Sequence, residues 1–162
     1  MAKSQQLQIR VTPAQKAALK RLARRAGTDV SSYVLSRVLP TARPRLNEIL
    51  HALRDGGDHR FALAELNDFL SGLTSAEFGD AVADVDLNGM SPFLRNYVAA
   101  MVEHAACQKG EVPPPWAGDV EPLEEPHFAV PFSSLRPHLL RESPVAFKRR
   151  NIFVDSTVGD RV

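Results

Sequence analysis

A single cysteine, Cys107, stands in 162 residues, which rules out an internal disulfide and any zinc site built on several thiolates. No apolar run approaches the roughly 20 residues that a bilayer-spanning helix needs. The start MAKSQQLQIR lacks the apolar core of a secretory signal, so the expected setting is cytoplasmic and no membrane partner is expected. The chain also lacks a glycine-rich phosphate loop, a Ser-His-Asp pattern in a recognisable frame, and a carboxylate pair with catalytic context. No catalytic residue, metal or cofactor is assigned on these grounds, and enzyme activity is not expected. No internal repeat is visible.

Acid is almost missing from the first 45 residues. Ten Lys or Arg stand there against Asp29 alone, a net of +9, whereas residues 46–127 carry fifteen acids against four bases. Residues 128–162 return to six bases against three acids. The overall charge of +1 therefore conceals a basic head on an acidic body, which suggests a polyanion partner for the head.

What is present in the head is a short alternating stretch followed by two helical patterns. In QLQIRV, Gln6, Gln8 and Arg10 alternate with Leu7, Ile9 and Val11, the period-2 mark of a half-buried strand. Thr12 suits a helix N-cap and Pro13 the first helical position. Ala18, Leu19, Leu22, Ala23 and Ala26 then form a narrow apolar stripe, with Lys16, Lys20, Arg21, Arg24 and Arg25 around the rest. Gly27 is suited to stop this helix, and Asp29 to cap a second one carrying Val30, Tyr33, Val34, Val38 and Leu39.

A unit of about forty residues buries too little by itself, and a lone strand leaves its backbone groups unpaired. Two copies pairing their strands antiparallel would remove both difficulties. Leu7, Ile9 and Val11 would then face a shared helical core with Leu19, Leu22, Val34 and Val38. Gln6, Gln8 and Arg10 would face outward as base-reading side chains, since a two-stranded ribbon fits the major groove and Gln and Arg can bond adenine and guanine edges. Lys3 and the capped helix start Asp29-Val30-Ser31-Ser32 would meet phosphates.

The alternating strand, VTPAQKAALKRLA and AGTDVSSYVLSRVL together resemble the ribbon-helix-helix DNA-binding proteins, the Arc/MetJ/CopG-like repressors and many bacterial antitoxins, over about residues 5–40. The resemblance implies a homodimer on operator DNA.

Beyond the head, Leu46, Ile49, Leu50 and Leu53 predict a helix after the PTARPR break. Phe61, Leu63, Leu66, Phe69 and Leu70 predict a second, and Thr74 or Ser75 can cap a third running to about Asp84. Ser91, Pro92, the apolar face Tyr97, Val98, Met101 and Val102, and Gly110 mark the clearest helix. DVDLNG matches the first half of a calcium loop but has Pro92 at position nine and Arg95 at position twelve, so a turn is expected instead. His104 and Cys107 share a helix face, with no further ligand set to join them.

EVPPPWAGDVEPLEEP carries five prolines in sixteen residues and reads as an extended connector, neither helix nor central strand, with Trp116 and Leu123 lying against something. The tail predicts one or two helical turns near Leu135–Leu140, then the basic and aromatic cluster AFKRRNIFVD. Its Phe147, Lys148, Arg149, Arg150, Asn151 and Phe153 have the composition of a binding hot spot; a terminal strand over Ile152–Asp155 completing the chain's own fold explains the same letters.

The expected fold class is mainly α: a ribbon-helix-helix module (1–45), an acidic helical domain (46–110), and a Pro-rich connector and tail (111–162). By resemblance, the expected function is an antitoxin that represses operator DNA and neutralises a toxin through its body and tail. The tail also resembles, more loosely, that of antitoxins paired with nucleotidyltransferase-like toxins, whose acidic cleft Lys148, Arg149 and Arg150 would then fill. A regulator of the same DNA-binding type with a ligand- or metal-sensing body, and an adaptor whose head reads no sequence, are the alternatives.

Overall fold

Helix α1, Pro13–Arg25, begins at a reciprocal cap. The Thr12 amide donates to Gln15 Oε1 at 2.9 Å, and the Gln15 amide donates back to Thr12 Oγ1 at 3.3 Å. Two of the amides that a helix start leaves without acceptors are satisfied in this way. Gly27, at φ +67°, turns the chain in the left-handed region, and its amide closes on the Arg24 carbonyl at 3.2 Å. Helix α2, Val30–Val38, follows, with the Asp29 carbonyl accepting from the Tyr33 amide at 2.9 Å.

The structure, a computed structural model, describes residues 8–25, 27, 29–38, 42–56 and 59–155, the side chains of Ser32, Ser36, Arg37 and Val38 excepted. The chain divides into two compact units, Met1–Pro40 and Thr41–Val162. The fold is mainly α-helical. No helix among the described residues is long and apolar enough to cross a membrane.

The second unit opens with α3, Ala42–Arg54, and includes Pro44. PTARPR was expected to be a break, but a proline within the first helical turn removes an amide that has no intrahelical acceptor anyway. Arg43 and Arg45, read as part of the basic head, thereby join the acidic body. Arg43 pairs with Asp84, and Arg45 with Glu48 and Glu65. Leu46, Ile49, Leu50 and Leu53 are buried as the spacing predicts.

Helix α4, His59–Gly72, turns the expected face inward except at Phe61, with Leu63 and Phe69 partly buried against the core. Ala62, Leu66 and Leu70 are buried, while Phe61 is 80% exposed. The i, i+4, i+8 row sets the buried stripe, and Phe61 falls one position off it. Helix α5, Ser75–Val82, starts at Thr74 with a complete capping box to Glu77. Helix α6, Pro92–Lys109, has its Ser91 cap, its Pro92 start and its Gly110 stop at φ +69°, all where the sequence puts them. It is buried on most of its circumference and forms the axis of the unit.

The proline-rich segment is not purely extended. Pro115–Gly118 form a short helix, α7, with Pro115 at its first position, where proline is tolerated. Trp116 packs on the core and its Nε1–H donates to the Val82 carbonyl at 2.8 Å. Beyond it, strand β1 (His127–Phe128), a 3-10 turn (Ser133–Leu135), α8 (Arg136–Glu142), α9 (Val145–Lys148) and strand β2 (Ile152–Phe153) follow among the described residues. The two strands pair in parallel, His127 with Ile152 and Phe128 with Phe153. Phe147, Ile152 and Val154 belong to the same core cluster as the apolar faces of α3 to α6. The tail is thus a structural part of the second unit.

Candidate nucleic-acid interface

Gln8 and Arg10, predicted to read bases, are exposed in a segment that runs from Gln8 to Thr12 without helix or strand pairing. Gln6, Lys3 and Leu7 lie outside the described residues, as do the side chains of Ser32 and Val38. Among the residues expected to meet phosphate, Asp29 and Ser31 are exposed at the start of α2 and Val30 is half-buried. Around α1, Lys16, Lys20, Arg21, Arg24 and Arg25 are all exposed. The basic face anticipated from the sequence is a solvent face of the first unit.

The expected dimer core is open in the single chain. Ile9 is 62% and Val11 42% exposed, and Leu22 is exposed as well; Leu35, outside the expected set, is exposed too. Leu19 and Val34 are half-buried. Among the described residues of Met1–Pro40, only Ala23 is buried. The two helices pack on each other, yet among the described residues they enclose almost nothing. Fully covering a Val, Leu or Ile side chain is worth about 1.5–3 kcal/mol, so this unit alone forgoes most of the burial that stabilises a domain.

The cluster AFKRRNIFVD is largely enclosed within the second unit. Phe147 is fully buried, with its ring edge-on to Tyr97 at 5.3 Å. Phe153 is buried and stacks on Phe128 at 4.9 Å. Arg150, 4% exposed, places Nη2 at 3.2 Å from Glu103 Oε2 and also donates to the carbonyls of Ala117 and Val120. Asn151, at φ +57°, donates from Nδ2 to the Leu123 carbonyl at 2.6 Å. Lys148 Nζ donates to the Arg141 carbonyl at 2.6 Å. Arg149 alone of these stays exposed, 3.8 Å from Glu103 Oε1. These residues were expected to form a toxin-binding hot spot. Phe147, Arg150 and Phe153 help close the chain's own fold, and the buried guanidinium of Arg150 is held opposite Glu103 and by two backbone carbonyls, those of Ala117 and Val120.

Glu103 was the residue not anticipated. It is the one acid in α6, it is 7% exposed, and it anchors the basic tail from inside. A carboxylate amid VAAMVEHAA was the available signal. Ser143 was missed as well: its Oγ donates to Leu139 or Val154 carbonyls at 2.6 and 2.7 Å and accepts from the Val154 amide at 2.9 Å, tying α8 to the last strand.

In the DVDLNG turn, Asp84 is paired with Arg43 and Asp86 with Arg54, and Asn88 donates its amide to Asp86 Oδ1 at 2.9 Å. Cys107 is exposed and His104 half-buried beside Phe147. Among the described residues no three His, Cys, Asp or Glu gather as a metal site.

The chain has no significant match among curated proteins or among solved structures. Residues 1–55, the first unit together with α3, match the model of the NikA-like family, described as mobilization protein NikA, a DNA-binding family of the ribbon-helix-helix type.

Proposed function

We propose that this protein binds DNA as a homodimer, reading sequence through paired N-terminal segments, and that its C-terminal unit is a folded docking body rather than a catalyst. One observation carries the reading. The first unit leaves Ile9, Val11, Leu22 and Leu35 exposed beside a basic surface, a state that a second copy would relieve by covering the apolar residues and aligning the polar ones. The family match over residues 1–55 supports it independently and favours work at a DNA site used in mobilization.

The narrower antitoxin reading shares the DNA-binding half. Of the cluster its toxin-binding half rests on, Phe147, Arg150 and Phe153 are enclosed and Arg149 is exposed, so a toxin would meet Arg149 or another face of the second unit. A ligand-sensing regulator would keep the same head.

The test is a duplex selected from a random pool and titrated with the full chain. Two chains should bind per site. Ile9→Glu should give a monomer with no specific binding. Gln8→Ala and Arg10→Ala should keep the dimer and each weaken discrimination by about 1–3 kcal/mol. A monomer by sedimentation, or indifference to sequence, would overturn the proposal.

A further inference from the structure

The DVDLNG turn, the start of α6 and the segment after α7 enclose a cleft of about 810 Å³ in the second unit. That is within the roughly 300–1,000 Å³ range of small-ligand sites. Its walls carry four carboxylates, those of Asp86, Asp119, Glu121 and Glu124, against one guanidinium, that of Arg95. Asp86 is paired with Arg54 outside the cleft. Asp119, Glu121 and Glu124 are exposed and have no cationic partner among the described residues.

Two of the neutral polar wall residues have their donors engaged within the chain. Trp116 lines the cleft, but its Nε1–H is taken by the Val82 carbonyl, so it offers a ligand only its ring. Asn96, 2% exposed, also lines it. Its Nδ2 donates to the Pro92 and Glu121 carbonyls at 3.0 and 2.9 Å, which sets the amide orientation, and its Oδ1 is left without a donor. The donors of Trp116 and Asn96 are thus spent, and Asn88 is the other neutral polar residue of the lining. Apolar wall from Leu87 and Leu123 lies beside them.

From this geometry we infer a binding site for an organic cation, an ammonium or guanidinium on an aliphatic stem. The charged head meets Asp119, Glu121 and Glu124, the stem lies along the apolar wall, and the Trp116 ring adds cation–π attraction. Such a group comes either from a free polyamine or from a Lys or Arg side chain of a partner protein.

Trp116 is the single tryptophan of the chain, so its fluorescence reports on the cleft. The full chain is titrated at about 0.15 M salt with spermidine, with the blocked tripeptide Gly-Arg-Gly, and with its neutral citrulline counterpart. Spermidine, the arginine peptide or both should change the emission saturably, and the citrulline peptide should not. The triple variant Asp119→Asn, Glu121→Gln, Glu124→Gln should keep its circular dichroism and melting midpoint and bind the cation at least about tenfold more weakly. Tighter binding of the peptide assigns the site to a partner's side chain, and tighter binding of spermidine to a free amine. No saturable response to either cation, an equal response to citrulline, or undiminished binding by the triple variant would overturn the inference.

Discussion

At the residue scale, Glu103 and Arg150 decide the character of the C-terminal unit. Removing one member strands a buried charge, while replacing both with apolar groups of similar size removes the need for pairing. Glu103→Ala should therefore lower unfolding free energy by about 3–5 kcal/mol, and Glu103→Leu combined with Arg150→Met should recover much of that loss; urea titration of the three proteins measures it. Equal losses in the single and double variants would mean that the pair acts through packing alone. Tyr97 gives a pH-dependent counterpart. Burial pushes its hydroxyl above the ordinary tyrosine value, so the fold favours the protonated form. Its contribution is complete below about pH 10 and is lost as pH climbs from there through the higher native value. Tyr97→Phe should flatten the decline in denaturation midpoint between neutral and strongly alkaline pH, and an unchanged profile would contradict this.

At the scale of elements, caps act locally and packing acts at a distance. Thr12 with Gln15, Thr74 with Glu77, and Ser91 before Pro92 each start a helix from within four letters of sequence. Which side of a helix faces in is decided by neighbours, and α4 illustrates it: of two adjacent apolar residues, Phe61 is exposed and Ala62 is buried. Phe147→Ala should cost about 3–5 kcal/mol, since it empties a filled position against Tyr97. Phe61→Ala, the same chemical change at an exposed site, should stay within about 0.5 kcal/mol. Thermal unfolding of both variants separates them, and similar losses would show that the assigned face of α4 is wrong.

At the scale of the whole molecule, charge is partitioned between the units. Met1–Pro40 holds eight bases and one acid, and Thr41–Val162 twelve bases and eighteen acids. DNA affinity should accordingly fall steeply with salt, by about 0.9 log units per log unit of salt for each phosphate neutralised. Arg43→Gln should leave that slope unchanged, because Arg43 is already paired with Asp84 within the second unit, whereas a double Arg21→Gln, Arg24→Gln variant should flatten it. Anisotropy titrations across a salt series check both statements, and a shallower slope for Arg43→Gln would place that arginine on the DNA.

The sequence by itself determined what depends on near neighbours: the start and stop of α6, the apolar faces of α3 and α6, the separation of basic head from acidic body, and the short final strand. Each follows from capping, periodicity or composition within one or a few turns. Only the tertiary structure decided the fate of Arg149 and Arg150, consecutive and chemically identical, whose side chains are 67% and 5% exposed. Their difference arises because the acceptors for Arg150 lie at Glu103, Ala117 and Val120, thirty to nearly fifty residues away in the chain. The fold, and no local pattern, brings those groups to one guanidinium. The cleft beside Trp116 arises the same way, from three segments whose separate sequences carry no mark of their meeting.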